Sequence, residues 1–287
     1  MSAPERSARV RAATPVREAL QGAITAIAAG GSDTPRLDAE VLLAHVLGVG
    51  RERLLSEHEM RVAGPAVRAY QDAVRRRAVE REPVAYIVGS KGFRHIELAV
   101  DRRVLIPRPE TELLVEVGLR LGEAESVLDC CTGSGAVALA LKDERPDLQV
   151  WGSDLSPEAL SLARENGARL GLEVRWLRSD LLGDVPDEQD ALLANPPYVS
   201  DGEMAGLAPE IARHEPSLAL RGGPDGLDVV RALLAQAGAR TRLRTVAVEI
   251  GAGQAEATAG LMAAAGFAET GFELDLAGIK RVVIGKR

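Results

Sequence analysis

Apolar residues recur three and four positions apart along the first part of the chain, the spacing of single helix faces. Between Thr14 and Gly31 they are Val16, Ala19, Leu20, Ala23, Ile24 and Ile27. Thr14 suits the N-cap, Pro15 the first helical position, and Gly30-Gly31 the stop. A second helix is predicted from Pro35 to Leu47, apolar nearly all round and therefore buried. A third follows Gly64-Pro65, with Val67, Tyr70, Val74 and Ala78 on one face. Residues 1–80 thus read as a small helical domain. Its closing Arg75-Arg76-Arg77 and Arg81 fit a solvated helix face, or a contact for an acidic partner.

Residues 81–109 change character. Pro83, Gly89, Gly92, Pro107 and Pro109 punctuate short β-prone runs, Ala85–Val88 and Ile96–Val100, which predicts a hairpin-like connector. From residue 110 to 287, helical and strand patterns alternate. Helix 110–121 precedes strand 126–130, helix 136–143 strand 149–153, and helix 157–170 strand 173–177. Strand 190–194 follows, then a long loop, helix 226–239, strand 244–250, helix 253–265 and closing strands near 267–275 and 280–285. Repeated βα units with short connections imply an α/β fold with a mostly parallel sheet covered on both faces. The last connection is too short for a crossover, so its strands should pair antiparallel.

Composition narrows the class. At 287 residues, 46% hydrophobic and 27% charged, the chain fits a globular protein with one large and one small domain. No apolar run approaches the ~18–20 residues of a membrane span. Residues Met1–Ala12 lack the apolar core of a secretory signal, so a cytoplasmic protein is expected. Two adjacent cysteines, Cys130 and Cys131, offer no disulfide framework. His45, His58, His95 and His214 offer no metal-ligand spacing, and no metal is expected. A net charge of −7 argues against duplex DNA as the main substrate, where phosphate contacts supply most of the affinity.

Candidate chemistry begins where the first strand of the alternating region enters Asp129-Cys130-Cys131-Thr132-Gly133-Ser134-Gly135 and then a helix. Such glycine turns let a ligand approach the backbone without a Cβ in the way, at the strand ends where open α/β sheets bind ligands. With Ala138 the turn also matches the dinucleotide pattern, so a nicotinamide reading stays open. Asp154 ends the second strand about 20 residues on, where an acid can hold two ribose hydroxyls. It could equally cap the helix after Ser156-Pro157. Asp180, after the third strand, is a candidate for an adenine amino group.

The fourth strand ends in Asn195-Pro196-Pro197-Tyr198. Two prolines fix φ and remove two N–H donors, leaving a stiff turn that exposes carbonyls. Asn195 adds a side-chain carbonyl and Tyr198 a π face. Acceptors beside an aromatic plane suit a planar NH₂ group, a poor nucleophile that gains from charge stabilisation and in-line placement.

Together these features resemble the class I S-adenosylmethionine-dependent methyltransferases. Asn-Pro-Pro-Tyr resembles the motif of enzymes that methylate exocyclic or amide nitrogens, DNA adenine-N6 and cytosine-N4 enzymes included. Further stretches narrow the likeness: Glu82–Gly89, Val104–Glu112, Glu215–Leu220, Gly222–Leu227 and Asp275–Arg281. They resemble the peptide chain release factor N5-glutamine methyltransferases, over roughly residues 14–287. That resemblance implies a small N-terminal helical domain for substrate recognition and a Rossmann-like, seven-stranded catalytic domain. It implies S-adenosyl-L-methionine as cofactor and, as acceptor, the glutamine of a Gly-Gly-Gln loop in bacterial release factors, acting in translation termination. Carried over by position, Cys131, Thr132, Gly133, Ser134, Gly135 and Asp154 would contact the cofactor, with Asp180 and Leu181 on its adenine side. Asn195 would touch both cofactor and glutamine amide, and Pro196, Pro197 and Tyr198 would complete the amide pocket. Two positions depart from the pattern. Cys130 replaces the usual apolar residue and should pack equivalently, and Leu181 stands where some relatives carry an aromatic. Arg108 and Glu110 could orient the cofactor or pin the connector, while Glu249 at the end of the fifth strand reads as structural.

Three rival readings lead elsewhere. A DNA adenine methyltransferase shares the Asn-Pro-Pro-Tyr chemistry but normally needs a basic target-reading face. A nicotinamide oxidoreductase leaves Asn195–Tyr198 without a task, and a scaffold without catalysis predicts that Asn195→Ala changes nothing.

Overall fold

A computed structural model describes residues 13–57, 60–122 and 126–287. Residues 1–12 and His58, considered above, lie outside them. The chain divides into two compact units between Val88 and Gly89, inside the segment expected as a connector.

The first unit holds β1 (Thr14–Pro15), α1 (Val16–Ala29), α2 (Pro35–Leu47), α3 (Arg51–Ser56), β2 (Arg61–Val62), α4 (Pro65–Ala78) and α5 (Val84–Val88). Thr14 and Pro15 pair antiparallel with Val62 and Arg61, so α1 starts at Val16 and Pro15 serves as its N-cap. Helix α2 is the centre of this unit, with Ala39, Leu42 and Leu43 wholly buried, as its uniform apolarity predicts. The run Ala85–Val88, predicted as strand, is helical: Tyr86 and Ile87 donate to the Pro83 carbonyl at 3.0 and 3.1 Å. Pro83 supplies the fixed φ of a first helical turn, and Ile87 is buried against the α-helical core. The arginine run is not a free solvated face. Arg77 is buried against Asp38 at 2.7 Å, Arg76 pairs with Glu82 at 2.7 Å, and Arg75 with Asp72 at 2.9 Å.

The second unit opens with the hairpin β3 (Ser90–Phe93) and β4 (Ile96–Ala99), then a 3-10 turn at Pro109–Thr111 and α6 (Glu112–Leu119). There follow β5 (Ser126–Cys130), α7 (Ala136–Glu144), β6 (Gln149–Asp154), α8 (Pro157–Leu170), β7 (Arg175–Arg178) and β8 (Ala191–Ala194). The long loop carries short helices α9 (Asp201–Met204) and α10 (Pro209–His214). It leads to α11 (Asp228–Gly238), β9 (Thr245–Glu249), α12 (Ala255–Ala264), β10 (Glu269–Leu274) and β11 (Lys280–Lys286). One seven-stranded sheet results, in the order β10-β11-β9-β8-β5-β6-β7. The five strands β5 to β9 are parallel, and β11 runs antiparallel to both β9 and β10.

Strand alternation sorts the core into two layers. Val127, Leu193 and Ala247 face α6 and α7, while Leu128, Cys130, Leu192 and Val248 face α11 and α12. Cys130, 1% exposed, packs as an apolar residue, as expected from its size. The chain runs outward from β5 to β7 on one side, then returns to lay β8 and β9 on the other. Strand order therefore reverses between β5 and β8, where such sheets open a crevice at their carboxyl ends.

Candidate functional site

Beyond the ends of β5 and β8 lies a cavity of about 400 Å³. Its walls include Cys131, Thr132, Gly133 and Ser134 from the turn after β5, Asp154 after β6, Asp180 and Leu181 after β7, and Asn195 and Pro197 after β8. Gly135, Pro196 and Tyr198 are not wall residues.

The glycine turn is built from left-handed backbone held by carboxylates. Cys131, Gly133 and Gly135 have φ of 61°, 56° and 83°, a conformation that costs a non-glycine residue roughly 1–2 kcal/mol. Asp129, buried under the turn, accepts from the Thr132 hydroxyl at 2.5 Å and from Ala138 N–H at 3.1 Å. Burial pushes its carboxyl up to about 7, against the pull of these two donors. Asp154 accepts from Gly133 N–H and from Ser156 N–H, each at 2.9 Å. Burial raises it too, opposed by the backbone donors. Asp154 thus braces both the glycine turn and the start of α8, and still lines the cavity. The helix cap proper is Ser156, whose hydroxyl accepts from Ala159 N–H at 3.1 Å. Gly135 has a packing reason to be glycine: a Cβ there would lie 2.8 Å from the Trp176 ring. At Gly133 an added Cβ would meet nothing within 4 Å.

The turn after β8 is held in the opposite manner. The Asn195 amide Nδ2 donates to the Thr111 hydroxyl at 3.2 Å, and its Oδ1 takes no donor among the described residues. The Pro196 carbonyl likewise accepts no hydrogen bond from a described residue. Glycines of the long loop close over the backbone that follows. A Cβ on Gly222 would lie 2.8 Å from the Pro197 carbonyl, and one on Gly226 only 2.3 Å from that of Tyr198. Gln254 Nε2 donates to the Tyr198 carbonyl at 3.1 Å. Burial, with the nearby Glu249 charge, pushes the Tyr198 hydroxyl up to about 12, so it stays a proton donor.

Sequence reasoning missed Glu215 and Thr111 as supporting residues and read Glu249 as structural. Glu215, buried, accepts from Arg108 Nη2 at 2.5 Å and from Ile106 N–H at 3.3 Å. Arg108 therefore pins the long loop to the segment before α6, while both it and Pro216 line the cavity. Thr111 reaches Asn195 from the 3-10 turn. Glu249 is buried, its Oε2 without a hydrogen-bond partner, and burial pushes its carboxyl up to about 7. Register carried a signal for Glu249: Ala194 pairs with Val248, so Asn195 and Glu249 leave neighbouring strands at the same level.

Residues 18–89 match the family described as PrmC N-terminal domain, and residues 109–223 the Methyltransferase small domain. The release factor glutamine methyltransferase of Moorella thermoacetica is 43% identical over 260 residues, covering 88% of this chain and 90% of that protein. That of Cereibacter sphaeroides is 43% identical over 271 residues, covering 93% and 96%. The chain belongs to the release factor glutamine methyltransferase family. It is accordingly an S-adenosylmethionine-dependent protein-glutamine methyltransferase, and the cavity beyond β5 and β8 is its candidate active site. Among solved structures, the hMettl16 catalytic domain in complex with the MAT2A 3'UTR hairpin 6 matches with a TM-score of 0.56 at 13% identity. That match covers 77% of this chain and 81% of the other, and shows a shared fold. No described helix is long and apolar enough to cross a membrane.

Proposed function

We propose that this enzyme methylates the side-chain amide nitrogen, N5, of the glutamine in the Gly-Gly-Gln loop of bacterial peptide chain release factors. One observation carries the reading. Asn195, whose NH₂ is tied to Thr111, lines the same cavity as Gly133 and Asp154 with its carbonyl oxygen uncommitted. The walls suit S-adenosyl-L-methionine. Asp154 retains acceptor capacity for ribose hydroxyls, Asp180 is exposed for an adenine amino group, and Leu155 and Leu181 supply apolar wall. The turn 131–135 lets the ligand approach the backbone. When bound, the cofactor supplies an electrophilic methyl group on a sulfonium.

The chain's own residues do the rest. Asn195 Oδ1 and the Pro196 carbonyl accept the two N–H bonds of the glutamine carboxamide, raising electron density on its nitrogen. Pro196 and Pro197 keep these acceptors from moving. The Tyr198 ring, beside Gly251, provides the face on which the planar amide stacks. In this reading the glutamine and the cofactor methyl converge on the Asn195 side chain. The helical unit supplies recognition of the release factor, and the reading implies a cytoplasmic enzyme without a direct nucleic-acid substrate.

Mass spectrometry of a purified release factor incubated with enzyme and methyl-labelled cofactor tests the assignment. One labelled methyl on the Gly-Gly-Gln glutamine supports it. Label on another residue, or transfer only to nucleic acid offered in parallel, overturns it.

A further inference from the structure

Among the buried residues of α8, Asn166 is the polar one. Asparagine is a poor helix former, because its side chain competes with the backbone for hydrogen bonds, and this one is wholly buried. Each of its polar atoms is used. Nδ2 donates to the Ser134 carbonyl at 2.9 Å and to the Ala99 carbonyl at 3.1 Å, and Oδ1 accepts from Ala99 N–H at 2.7 Å. The carboxamide fits one way round only, since its two protons meet two carbonyls and its oxygen meets an N–H.

Both partners belong to segments that wall the cavity. Ser134 lies between the left-handed Gly133 and Gly135 and is itself a wall residue. A turn so rich in glycine is free to take other conformations, and here its middle peptide is fixed from both ends. The Ser134 carbonyl is drawn to Asn166, which is buried behind the wall, and Gly135 N–H donates to the Thr132 carbonyl at 2.8 Å. Ala99 ends β4 and begins the stretch that brings Arg103, Val104 and Leu105 to the wall. The same helix holds that stretch at two further points. Arg103 pairs with Glu165 at 2.9 Å, and Arg169 Nη2 donates to the Glu97 carbonyl at 2.5 Å. Of the three links only Asn166 is buried, and only Asn166 also reaches the glycine turn.

We propose that Asn166 is a positioning residue for S-adenosyl-L-methionine: one buried carboxamide ties the glycine turn to the stretch after β4, and so sets the spacing of two walls that the cofactor must touch together. This rests on the cofactor reading of the cavity given above. The acceptors for the glutamine amide, on the turn after β8, are held separately, so Asn166 acts on cofactor binding and leaves the transfer step alone.

The test is titration calorimetry with S-adenosyl-L-methionine, beside steady-state methyl transfer to a release factor and denaturant unfolding. Asn166→Ala should weaken cofactor binding about tenfold, the worth of one well-placed hydrogen bond. The cofactor KM should rise to match, with kcat at saturating cofactor kept within about twofold. Should the alanine variant not fold, Asn166→Ser, with one proton to give in place of two, takes its place with the same expectation. Asn166→Asp keeps an acceptor for Ala99 N–H but sets an oxygen against the Ser134 carbonyl, and should bind no better than the alanine variant. Leu162→Ala, on the same helix, buried and off the cavity wall, should lower stability while leaving cofactor affinity unchanged. Wild-type affinity in Asn166→Ala or in Asn166→Asp would overturn the proposal. So would a fall in kcat with affinity kept, or a Leu162→Ala enzyme that lost as much affinity at equal loss of stability. If Asp154→Asn also left binding intact, the cofactor reading of the cavity would fall. If Asp154→Asn weakened binding and Asn166→Ala did not, only the positioning role would.

Discussion

Two turns face the same cavity and are made rigid by contrary means. The turn after β5 has three left-handed residues in five, and its Gly133 N–H and Thr132 hydroxyl are gripped by the acidic side chains of Asp154 and Asp129. The turn after β8 has no left-handed residue. Proline rings fix its φ, and Thr111 takes its side-chain donor. The first consumes donors with carboxylates and leaves close backbone approach for a ligand. The second has almost no donors to begin with and is left showing acceptors. Each turn has a buried carboxyl pushed up to about 7 at the end of an adjoining strand, Asp129 in β5 and Glu249 at the end of β9. The lesson is that a turn's usefulness is set by which of its polar groups the fold has already used.

If the acceptor turn governs chemistry and the glycine turn governs binding, their variants should fail differently. The largest effect is expected for Asn195→Ala, which should cut methyl transfer by at least ~10²-fold while cofactor affinity suffers far less. Rate and affinity falling together would erase the distinction. Next comes Gly135→Ala, whose Cβ would press on Trp176 at 2.8 Å. Overpacking and left-handed strain should cost about 3 kcal/mol in denaturant unfolding. Gly133→Ala, with open space around its Cβ, should cost only about 1 kcal/mol. Equal losses at the two glycines would deny the packing argument. Asp154→Asn should weaken cofactor binding about tenfold, the loss of a charged acceptor, with kcat at saturating cofactor nearly kept.

The smallest effect concerns pH. Asp129 and Glu249 hold their protons more tightly in the folded chain than in the unfolded one. Their contribution to stability is full below the ordinary carboxylate value of about 4 and is lost as pH rises through about 7. Asp129→Asn and Glu249→Gln should each flatten stability between those limits, as read by unfolding at about pH 5 and about pH 8. A profile unchanged in either variant would show that its carboxyl does not carry this dependence.

Much of the fold could be read from the sequence because the signal is periodic. The alternation from residue 110 onward yields seven strands and their helices with ends displaced by no more than two residues, since burial on both faces leaves the central strands β5, β8 and β9 as nearly continuous buried runs. The misreadings arise where length is too short for periodicity to decide. Ala85–Val88 is β-prone in composition, yet Pro83 starts a helical turn there, and the six-residue α3 left no sequence signal strong enough to notice. At the site, Gly133, Asp154 and Asn195 were legible because each stands at a strand end beside turn-forming residues. Thr111 and Glu215 were not, and Glu249 was legible only as a structural acid. They come from separate segments, and only closure of the sheet and the long loop brings their side chains to the turn they support.

Strand β11 is inserted between β9 and β10, although it follows β10 in the chain. Strand β10 therefore has no place on the sheet until the segment after it forms the bridge to β9. Until then the edge of β9, which ends in Glu249, is bare. A chain in which β11 docks late keeps a half-built edge open to pairing with other strands, which makes this hairpin the point where misassembly should begin.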